Sequence, residues 1–156
     1  DAGSSAGNAC RDGPVPGRRM RPGDVVLGTG VDLVENDRMR AMLERWGARL
    51  KSRVFLPDEQ SYCETKAAPW LYYSGRFAVK EAVSKAFGTG IGPALGWLDI
   101  EVRRDPGSGA PFVQLSVPAR RLADSMGVYK VLISLSHTRN FAIAHALLIA
   151  ATEGPP

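Results

Sequence analysis

The segment PWLYYSGRFAVKEAVSKAFGTG, residues 69–90, decides the fold because it is the longest helical pattern in the chain. Small and apolar residues recur in it at intervals of three, four or seven positions: Leu71, Gly75, Ala78, Ala82 and Ala86. A narrow stripe of this kind favours close packing of a helix against another element. The spacing therefore predicts a helix over Pro69–Phe87, with Gly88 as the residue that ends it.

Upstream of this helix, the sequence predicts one strand and two helices. Val25–Val34 is rich in β-branched residues and is typical of a strand. The following Glu35-Asn36-Asp37 has N-cap chemistry for a helix whose apolar residues run from Met39 to Leu50 and which Gly47 weakens. Pro57-Asp58-Glu59 predicts the first turn of a short second helix.

Downstream, the hydrophobic period changes to two, which is typical of strands. The strands are predicted at Trp97–Arg103, Phe112–Val117, Val128–Ser136 and Phe141–Ala150, with a short helix at Pro118–Met126. The last strand is apolar on both faces, so we expect it to be central or covered. Early helices and late antiparallel strands predict an α+β fold, with an antiparallel sheet packed on the long helix and on shorter helices in a single domain.

The composition limits the class of protein. The 156 residues contain 20 Lys and Arg against 16 Asp and Glu, and 44% are hydrophobic, which is too apolar and too mixed for a disordered chain. No run reaches the roughly 18 apolar residues that span a bilayer, so we expect no membrane partner. Two cysteines and no apolar signal region favour a reduced cytoplasmic setting. The predicted organisation is a flexible extension over residues 1–24, a domain over 25–151 and a tail over 152–156.

Asp32 is the first candidate for chemistry, because a carboxylate within an apolar strand is costly to bury unless it is paired or binds a metal. The more common alternative is that Asp32 caps another element or faces solvent. Gly28 and Gly30 beside it do not predict a dinucleotide site, because no third glycine follows at the required spacing.

Glu81 and Lys85 are the second candidate, since they lie about one turn apart on one helical face. A solvated salt bridge is the ordinary interpretation of such a pair. The Gly and Ala stripe beside them indicates a packed helix, however, and Lys85 before Gly88-Thr89-Gly90 could present an ammonium and free backbone N–H groups to a phosphate. This is not a Walker A loop, because the glycines follow the helix.

Ser136, His137 and Thr138 form a third candidate at a strand end, where loops often carry sites. Ser136 and His137 are not expected to act as a nucleophile pair, because adjacent strand residues point to opposite faces. We expect His145 to be a satisfied core histidine and assign no role to Cys63.

One Asp and one Glu without a His or Cys cluster suit a hard cation. Magnesium takes one or two carboxylates together with waters and phosphates, whereas zinc would require His or Cys. The residues therefore indicate a Mg²⁺–phosphate site at Asp32 and Glu81, with cationic help from Lys85 and Arg76.

The sequence resembles the holo-acyl-carrier-protein synthase family of 4′-phosphopantetheinyl transferases, of the small trimeric type, from about Val26 to Ala150. Three ordered blocks carry the resemblance: GTGVDLVE at 28–35, GRFAVKEAVSKAFGTGI at 75–91 and SLSHT at 134–138. It implies Mg²⁺-dependent transfer of 4′-phosphopantetheine from coenzyme A to a serine of an acidic acyl carrier protein, with release of 3′,5′-ADP, in fatty-acid or polyketide synthesis. It also implies a cytoplasmic homotrimer with active sites between subunits.

The resemblance assigns roles to individual residues. Asp32 and Glu81 would bind Mg²⁺, and Lys85 would contact the phosphates. All three would be catalytic residues. Arg38 and Arg45 would dock the carrier protein. The remaining coenzyme A contacts would come from Arg76, Gly88, Thr89, Gly90, Pro111, Ser136, His137 and Thr138. The family often has a basic residue two turns before Arg76; Ala67 and Ala68 stand near there, and Lys66 is the nearest cation.

Two other classes of function remain open at this point. One is a protein that binds coenzyme A but has lost transfer activity, against which Asp32, Glu81 and Lys85 argue. The other is a small basic module for nucleic acid or acidic proteins, whose binding would fall steeply with salt. A nucleic-acid partner is not expected, because the sequence shows no dense Lys and Arg face interleaved with aromatic residues.

Overall fold

The first and last strands of the domain pair with each other. The computed structural model describes residues 19–152, in which β1 (Asp24–Glu35), β4 (Lys130–His137) and β5 (Phe141–Ala151) form an antiparallel sheet of order β1-β5-β4. Strands β2 (Ile100–Arg104) and β3 (Pro111–Leu115) form a separate antiparallel pair. Four helices complete the α+β fold: α1 (Asn36–Val54), α2 (Pro57–Glu64), α3 (Pro69–Ala86) and α4 (Val117–Ser125). The central position expected for the last strand is confirmed.

The small-residue stripe of α3 packs on β1, as its spacing predicted. A Cβ atom added at Gly30 would lie 1.9 Å from the Ala82 carbonyl oxygen, and one added at Gly28 would lie 2.3 Å from that of Ala86. Both glycines therefore allow the helix backbone to approach the strand to a distance that any side chain would prevent. Gly88, at φ +77°, ends the helix as expected.

The pleat of β1 divides its side chains between two environments. Gly30, Asp32 and Val34 point toward α3, whereas Val31 and Leu33 point away from it and are 53% and 60% exposed. The alternation thus places the carboxylate of Asp32 beside the long helix and leaves an apolar face of the sheet uncovered within the described chain.

Three expectations about local structure were wrong. His145 is exposed rather than in the core, because it lies on the sheet face away from α3, where it hydrogen-bonds to Thr29 Oγ1 at 2.9 Å. Asn36 does not cap α1; its amide donates instead to the carbonyl oxygens of Thr138 and Arg139, both at 3.1 Å. The strand expected from Trp97 begins only at Ile100, because Asp99 accepts a hydrogen bond from the Gly96 N–H and closes a 3₁₀ turn over Trp97–Asp99.

Other boundaries moved by one or two residues. Gly47, at φ 47° and ψ −126°, interrupts α1 where the sequence predicted a weak point. The proposed extension lies mostly in residues 1–18, outside the described residues, as does most of the predicted tail. Among the helices of residues 19–152, none is long and apolar enough to cross a membrane.

Candidate functional site

Asp32 and Lys85 form an ion pair between β1 and α3. Lys85 Nζ donates to Asp32 Oδ1 at 2.9 Å and to the Val31 carbonyl oxygen at 3.1 Å. The Asp32 side chain is 16% exposed and the Lys85 side chain 50% exposed. The salt bridge considered between Glu81 and Lys85 is not formed within residues 19–152; the lysine crosses to the strand instead. Asp32 and Lys85, two candidates from distant segments of the sequence, are therefore in direct contact.

Glu81 lies close enough to Asp32 for the two carboxylates to interact. Burial is the largest cause that raises the pKa of Glu81 above its ordinary value, the negative charge of Asp32 raises it further, and Lys85 opposes both. Two carboxylates held together with a single ammonium create a local excess of negative charge. Such a pair of carboxylates attracts a cation, and one member of it is Asp32, the first candidate from the sequence.

A cavity of about 340 Å³ opens over these carboxylates, and we call it the acidic cavity. Asp32 and Glu81 lie on its wall together with Arg38 of α1, and Met42 and Phe77 supply an apolar surface. Arg38, predicted to dock an acidic carrier protein, therefore borders the cavity that holds the candidate catalytic residues. Arg45 is exposed on the same helix and stacks over Trp46, with 4.8 Å between its guanidinium and the ring.

The donor set of the acidic cavity suits magnesium. No group of three or more His, Cys, Asp or Glu residues that could hold a metal occurs in residues 19–152. Asp32 and Glu81 supply two carboxylates, which is the number that Mg²⁺ uses when waters and substrate phosphates complete its shell. The residues present therefore fit Mg²⁺ shared with a phosphorylated ligand and do not fit a zinc site.

A second cavity, of about 220 Å³, gathers another set of the predicted residues, and we call it the basic cavity. Arg76 of α3, Pro111 of β3 and His137 of β4 line it. Arg104, a residue that the sequence did not single out, lines it as well. Burial lowers the pKa of His137, and the positive charges of Arg104 and Arg76 lower it further.

The two cavities lie on different sides of α3. Arg76 and Lys85 are nine residues apart, which corresponds to about 13 Å along the axis and half a turn around it. The carboxylate cluster and the basic cavity are therefore separated by the body of the helix. Within one chain, the predicted metal ligands Asp32 and Glu81 and the predicted coenzyme A contacts of the basic cavity therefore form two separate sets.

Backbone N–H groups of the turn after α3 are already engaged. The Gly88 N–H donates to the Lys85 carbonyl oxygen and the Gly90 N–H to that of Ser84, so these two groups cap the helix. The expectation that both would be free to bind a phosphate was wrong. The Thr89 hydroxyl donates to the Gly90 carbonyl oxygen at 2.8 Å. This turn can contribute its surface to a ligand site, but the N–H groups of Gly88 and Gly90 serve the helix end.

The hairpin between β4 and β5 is held by one of its predicted site residues. Thr138 Oγ1 accepts hydrogen bonds from the N–H groups of Asn140 and Phe141, at 3.3 and 3.1 Å. Ser136 and His137 precede this turn and are exposed. His137 reaches the basic cavity, whereas Thr138 shapes the loop that carries it.

Arg104 and Tyr72, which line the basic cavity, and Tyr62, whose ring contacts the guanidinium of Arg76, were not predicted from the sequence. One signal could have revealed Arg104, since it lies directly opposite Pro111 in the β2–β3 register and Pro111 was already a candidate. Tyr62 and Tyr72 gave no such signal, because their contacts depend on how α2 meets α3.

A family model and individual relatives of this chain indicate the same protein family. A model of the 4′-phosphopantetheinyl transferase superfamily matches residues 28–144. A holo-[acyl-carrier-protein] synthase of Ruminiclostridium cellulolyticum is 43% identical over 126 residues, which cover 80% of this chain and 92% of that protein. One from Chlamydia trachomatis is 44% identical over 122 residues, covering 78% of this chain and 98% of that protein.

Solved structures of such synthases have the same fold. The structure from Neisseria meningitidis aligns with a TM-score of 0.75 at 27% identity, covering 80% of this chain and 98% of that one. The Helicobacter pylori synthase, in complex with coenzyme A, aligns with a TM-score of 0.69 at 32% identity, covering 77% of this chain and 98% of its own. A Bacillus anthracis synthase in complex with CoA (3′,5′-ADP) gives a TM-score of 0.67 at 33% identity, with coverage of 81% and 98%.

Proposed function

The chain belongs to the 4′-phosphopantetheinyl transferase superfamily and is an enzyme of the holo-[acyl-carrier-protein] synthase type, and we propose that it moves the phosphopantetheine arm of coenzyme A to a serine of an apo acyl carrier protein. We further propose that the reaction requires Mg²⁺, releases 3′,5′-ADP and serves fatty-acid or polyketide synthesis. The observation that carries the proposal is that Asp32 and Glu81 share the wall of the acidic cavity while Lys85 pairs with Asp32.

Each of the three residues has a role in the proposed reaction. Asp32 and Glu81 would hold Mg²⁺, which when bound neutralises charge on the pyrophosphate oxygens of coenzyme A. The serine oxygen forms a bond to the β-phosphorus while the bond from that phosphorus to the bridging oxygen breaks. Glu81, directly or through a water, accepts the serine proton. Lys85 stabilises the negative charge that builds on the departing 3′,5′-ADP.

We propose that each active site is shared between two chains of a homotrimer. The two cavities lie on different sides of α3, so a single coenzyme A would more readily reach both sets of residues if they came from neighbouring subunits. An exposed apolar strip on the sheet also supports association, since its residues are half exposed within one chain: Val31, Leu33, Phe141 and Ile143. A cytoplasmic setting is part of the same proposal, and it suits Cys63, a free and buried thiol.

Mixing two inactive variants tests the shared site. Glu81→Gln and Arg76→Met are each expected to be inactive alone, because each removes one of the two sets of contacts. Subunits that are denatured together at equal amounts and refolded should regain about a quarter of wild-type activity, since one site in four would combine two intact sets. Activity that stays at the level of the separate variants would place both sets in one chain.

The acidic carrier protein is proposed to dock on α1 beside the acidic cavity. Arg38 lines that cavity and Arg45 is exposed on the same helix, so both can meet carboxylates of a partner. We expect Arg38→Glu to raise the KM for the carrier protein by about tenfold or more, because it replaces an attraction by a repulsion. The Kd for coenzyme A should change less than twofold. An equal loss of affinity for both substrates would remove the docking role from α1.

Direct transfer tests the proposed function. The chain is incubated with coenzyme A, MgCl₂ and an apo acyl carrier protein, and the carrier is followed by mass spectrometry. We expect a mass increase of one phosphopantetheine with an equal amount of 3′,5′-ADP, and neither product when EDTA replaces MgCl₂. Failure to modify both fatty-acid and polyketide carriers would contradict the proposal.

A further inference from the structure

His145 lies in the middle of the sheet face that α3 does not cover. Its cross-strand partners are Val31 on β1 and Ser134 on β4, and its neighbours on the same face of β5 are Ile143 and Leu147. We call this surface the open face, and the side chains that form it point away from α3: Thr29, Val31, Leu33, Leu132, Ser134, Ser136, Phe141, Ile143, His145 and Leu147. An exposed imidazole thus stands at the centre of a largely apolar surface.

His145 has a hydroxyl partner but no carboxylate partner in residues 19–152. Its Nε2 shares a hydrogen bond of 2.9 Å with Thr29 Oγ1, and a hydroxyl can donate to a neutral imidazole or accept from a protonated one. The charged side chains on the same face are Glu35, opposite Phe141, and Lys130, opposite Ile149, each four residues or about 13 Å along the sheet from His145. They have opposite signs and lie at equal distances, so neither offsets the charge of a protonated His145.

A second copy of this chain is the partner that suits the open face. The predicted metal ligands and the predicted coenzyme A contacts of the basic cavity lie on different sides of α3, so a single chain does not bring both sets to one ligand. The apolar side chains of the open face, such as Val31 and Ile143, are about half exposed in one chain, which is typical of a surface that association buries. Association through this face would bury His145 together with its apolar neighbours.

We infer that His145 makes the association of this chain through the open face depend on pH, so that subunits associate when the imidazole is neutral and separate when it is protonated. The inference rests on the proposed homotrimer and adds its regulation. An imidazolium that moves from water into an apolar interface without a carboxylate loses hydration that nothing replaces. A neutral imidazole is buried at much lower cost and keeps its hydrogen bond with Thr29.

Proton linkage gives the direction of the effect. An imidazole buried in the assembly binds fewer protons than the same imidazole exposed on a free chain, so a fall in pH favours the free chain. Imidazole side chains gain their proton between about pH 8 and pH 5. A homotrimer buries three copies of His145, so its dissociation takes up as many as three protons. We therefore expect the dissociation constant to rise at least about a hundredfold from pH 7.5 to pH 5.5.

Sedimentation velocity at pH 7.5 and pH 5.5, over a range of protein concentrations, tests the inference. Wild type should be mainly trimeric at pH 7.5 and should dissociate at pH 5.5. His145→Gln keeps a neutral side chain that can hydrogen-bond to Thr29, so its dissociation constant should change less than about threefold between the two pH values. His145→Lys carries a charge at both pH values and should be mainly dissociated at each.

His137→Gln is the matched control, because it removes the other of the two histidines in the chain. It should keep the pH dependence of wild type, since His137 lies at the basic cavity and not on the open face. Burial and the charge of Asp32 raise the pKa of Glu81, but Glu81 is present in every variant, so its titration cannot account for a difference between them.

Three results would overturn the inference. They are a wild-type dissociation constant that does not change with pH, an equal pH dependence in His145→Gln, and association of His145→Lys as tight as that of wild type. A chain that is monomeric at pH 7.5 would contradict both the inference and the proposed homotrimer. The transferase proposal is separate, because the transfer assay tests it. A chain that modifies the carrier but assembles independently of pH would keep the proposed function and exclude the role of His145.

Discussion

Glu81→Gln is expected to lower kcat for phosphopantetheine transfer by at least about a thousandfold at saturating coenzyme A and carrier protein. The substitution keeps the shape of the side chain but removes both the negative charge for Mg²⁺ and the oxygen that would accept the serine proton. The partly buried carboxylate of Glu81 interacts with that of Asp32, so the substitution removes one of the two acids that would hold Mg²⁺ together. Initial rates measured by the appearance of modified carrier give the change.

The fold of this variant should remain intact. Glu81 has no salt bridge in the described residues, and its removal relieves the repulsion with Asp32. We therefore expect the midpoint of urea unfolding to stay equal to or rise slightly above that of wild type, while activity disappears. Glu44→Gln is the matched control, because Glu44 is an exposed acid of α1 that pairs only with Arg40 at the surface. It should retain full activity.

Asp32→Asn extends the same test. If Asp32 and Glu81 act through one Mg²⁺, the double variant should be about as slow as either single variant, because residues that act as a unit are not additive. Rates that fall in proportion to the product of the single losses would assign the two acids independent roles. A folded Glu81→Gln enzyme that keeps most of its Mg²⁺-dependent rate would exclude Glu81 from the mechanism.

The elements that sequence predicted well are those whose pattern is local. The stripe from Leu71 to Ala86 predicted both the extent of α3 and its close packing, because helical spacing alone places those residues on one face. The burial cost of a carboxylate singled out Asp32 in the same way. The helix end at Gly88 was recognisable because glycine readily adopts the positive φ that such an end requires.

The features that sequence did not predict depend on contacts between distant segments. Arg104 lines the basic cavity only because β2 and β3 bring it beside Arg76 and His137. His145 was expected in the core because it lies inside the predicted strand Phe141–Ala150, but the pleat of β5 turns it away from α3. The register of strand pairing, rather than composition, decides which face these side chains occupy. A shift of one residue would move each of them to the opposite face of its sheet.

Lys80 is a further example, because it is wholly buried one position before Glu81. Its ammonium donates to Glu59 Oε1 at 2.7 Å and to the carbonyl oxygens of Trp97 and Ile100 at 2.9 and 2.6 Å. Glu59 is equally buried, and its other oxygen accepts the N–H of Val102 at 3.1 Å. The pair thus joins α2, α3 and β2 through hydrogen bonds. Helix α3, which carries Glu81 on its cavity side, is fixed by this contact on its other side.

We expect Lys80→Met to lower the free energy of unfolding by about 3–5 kcal/mol, because it leaves the buried carboxylate of Glu59 without its partner. Urea unfolding at pH 7 and one protein concentration measures the change. Lys51→Met is the matched control: Lys51 pairs with Glu64 at 2.5 Å, but both side chains are partly exposed, so the expected loss is at most about 1 kcal/mol.

The double variant Lys80→Met/Glu59→Leu separates the ion pair from simple packing. Removing both charges together avoids an unpaired buried ion, so the double variant should lose less stability than the sum of the two single variants. Additive losses would mean that the two side chains contribute by volume alone. A loss below about 1 kcal/mol for Lys80→Met would mean that Glu59 keeps its backbone N–H donors and needs no ammonium.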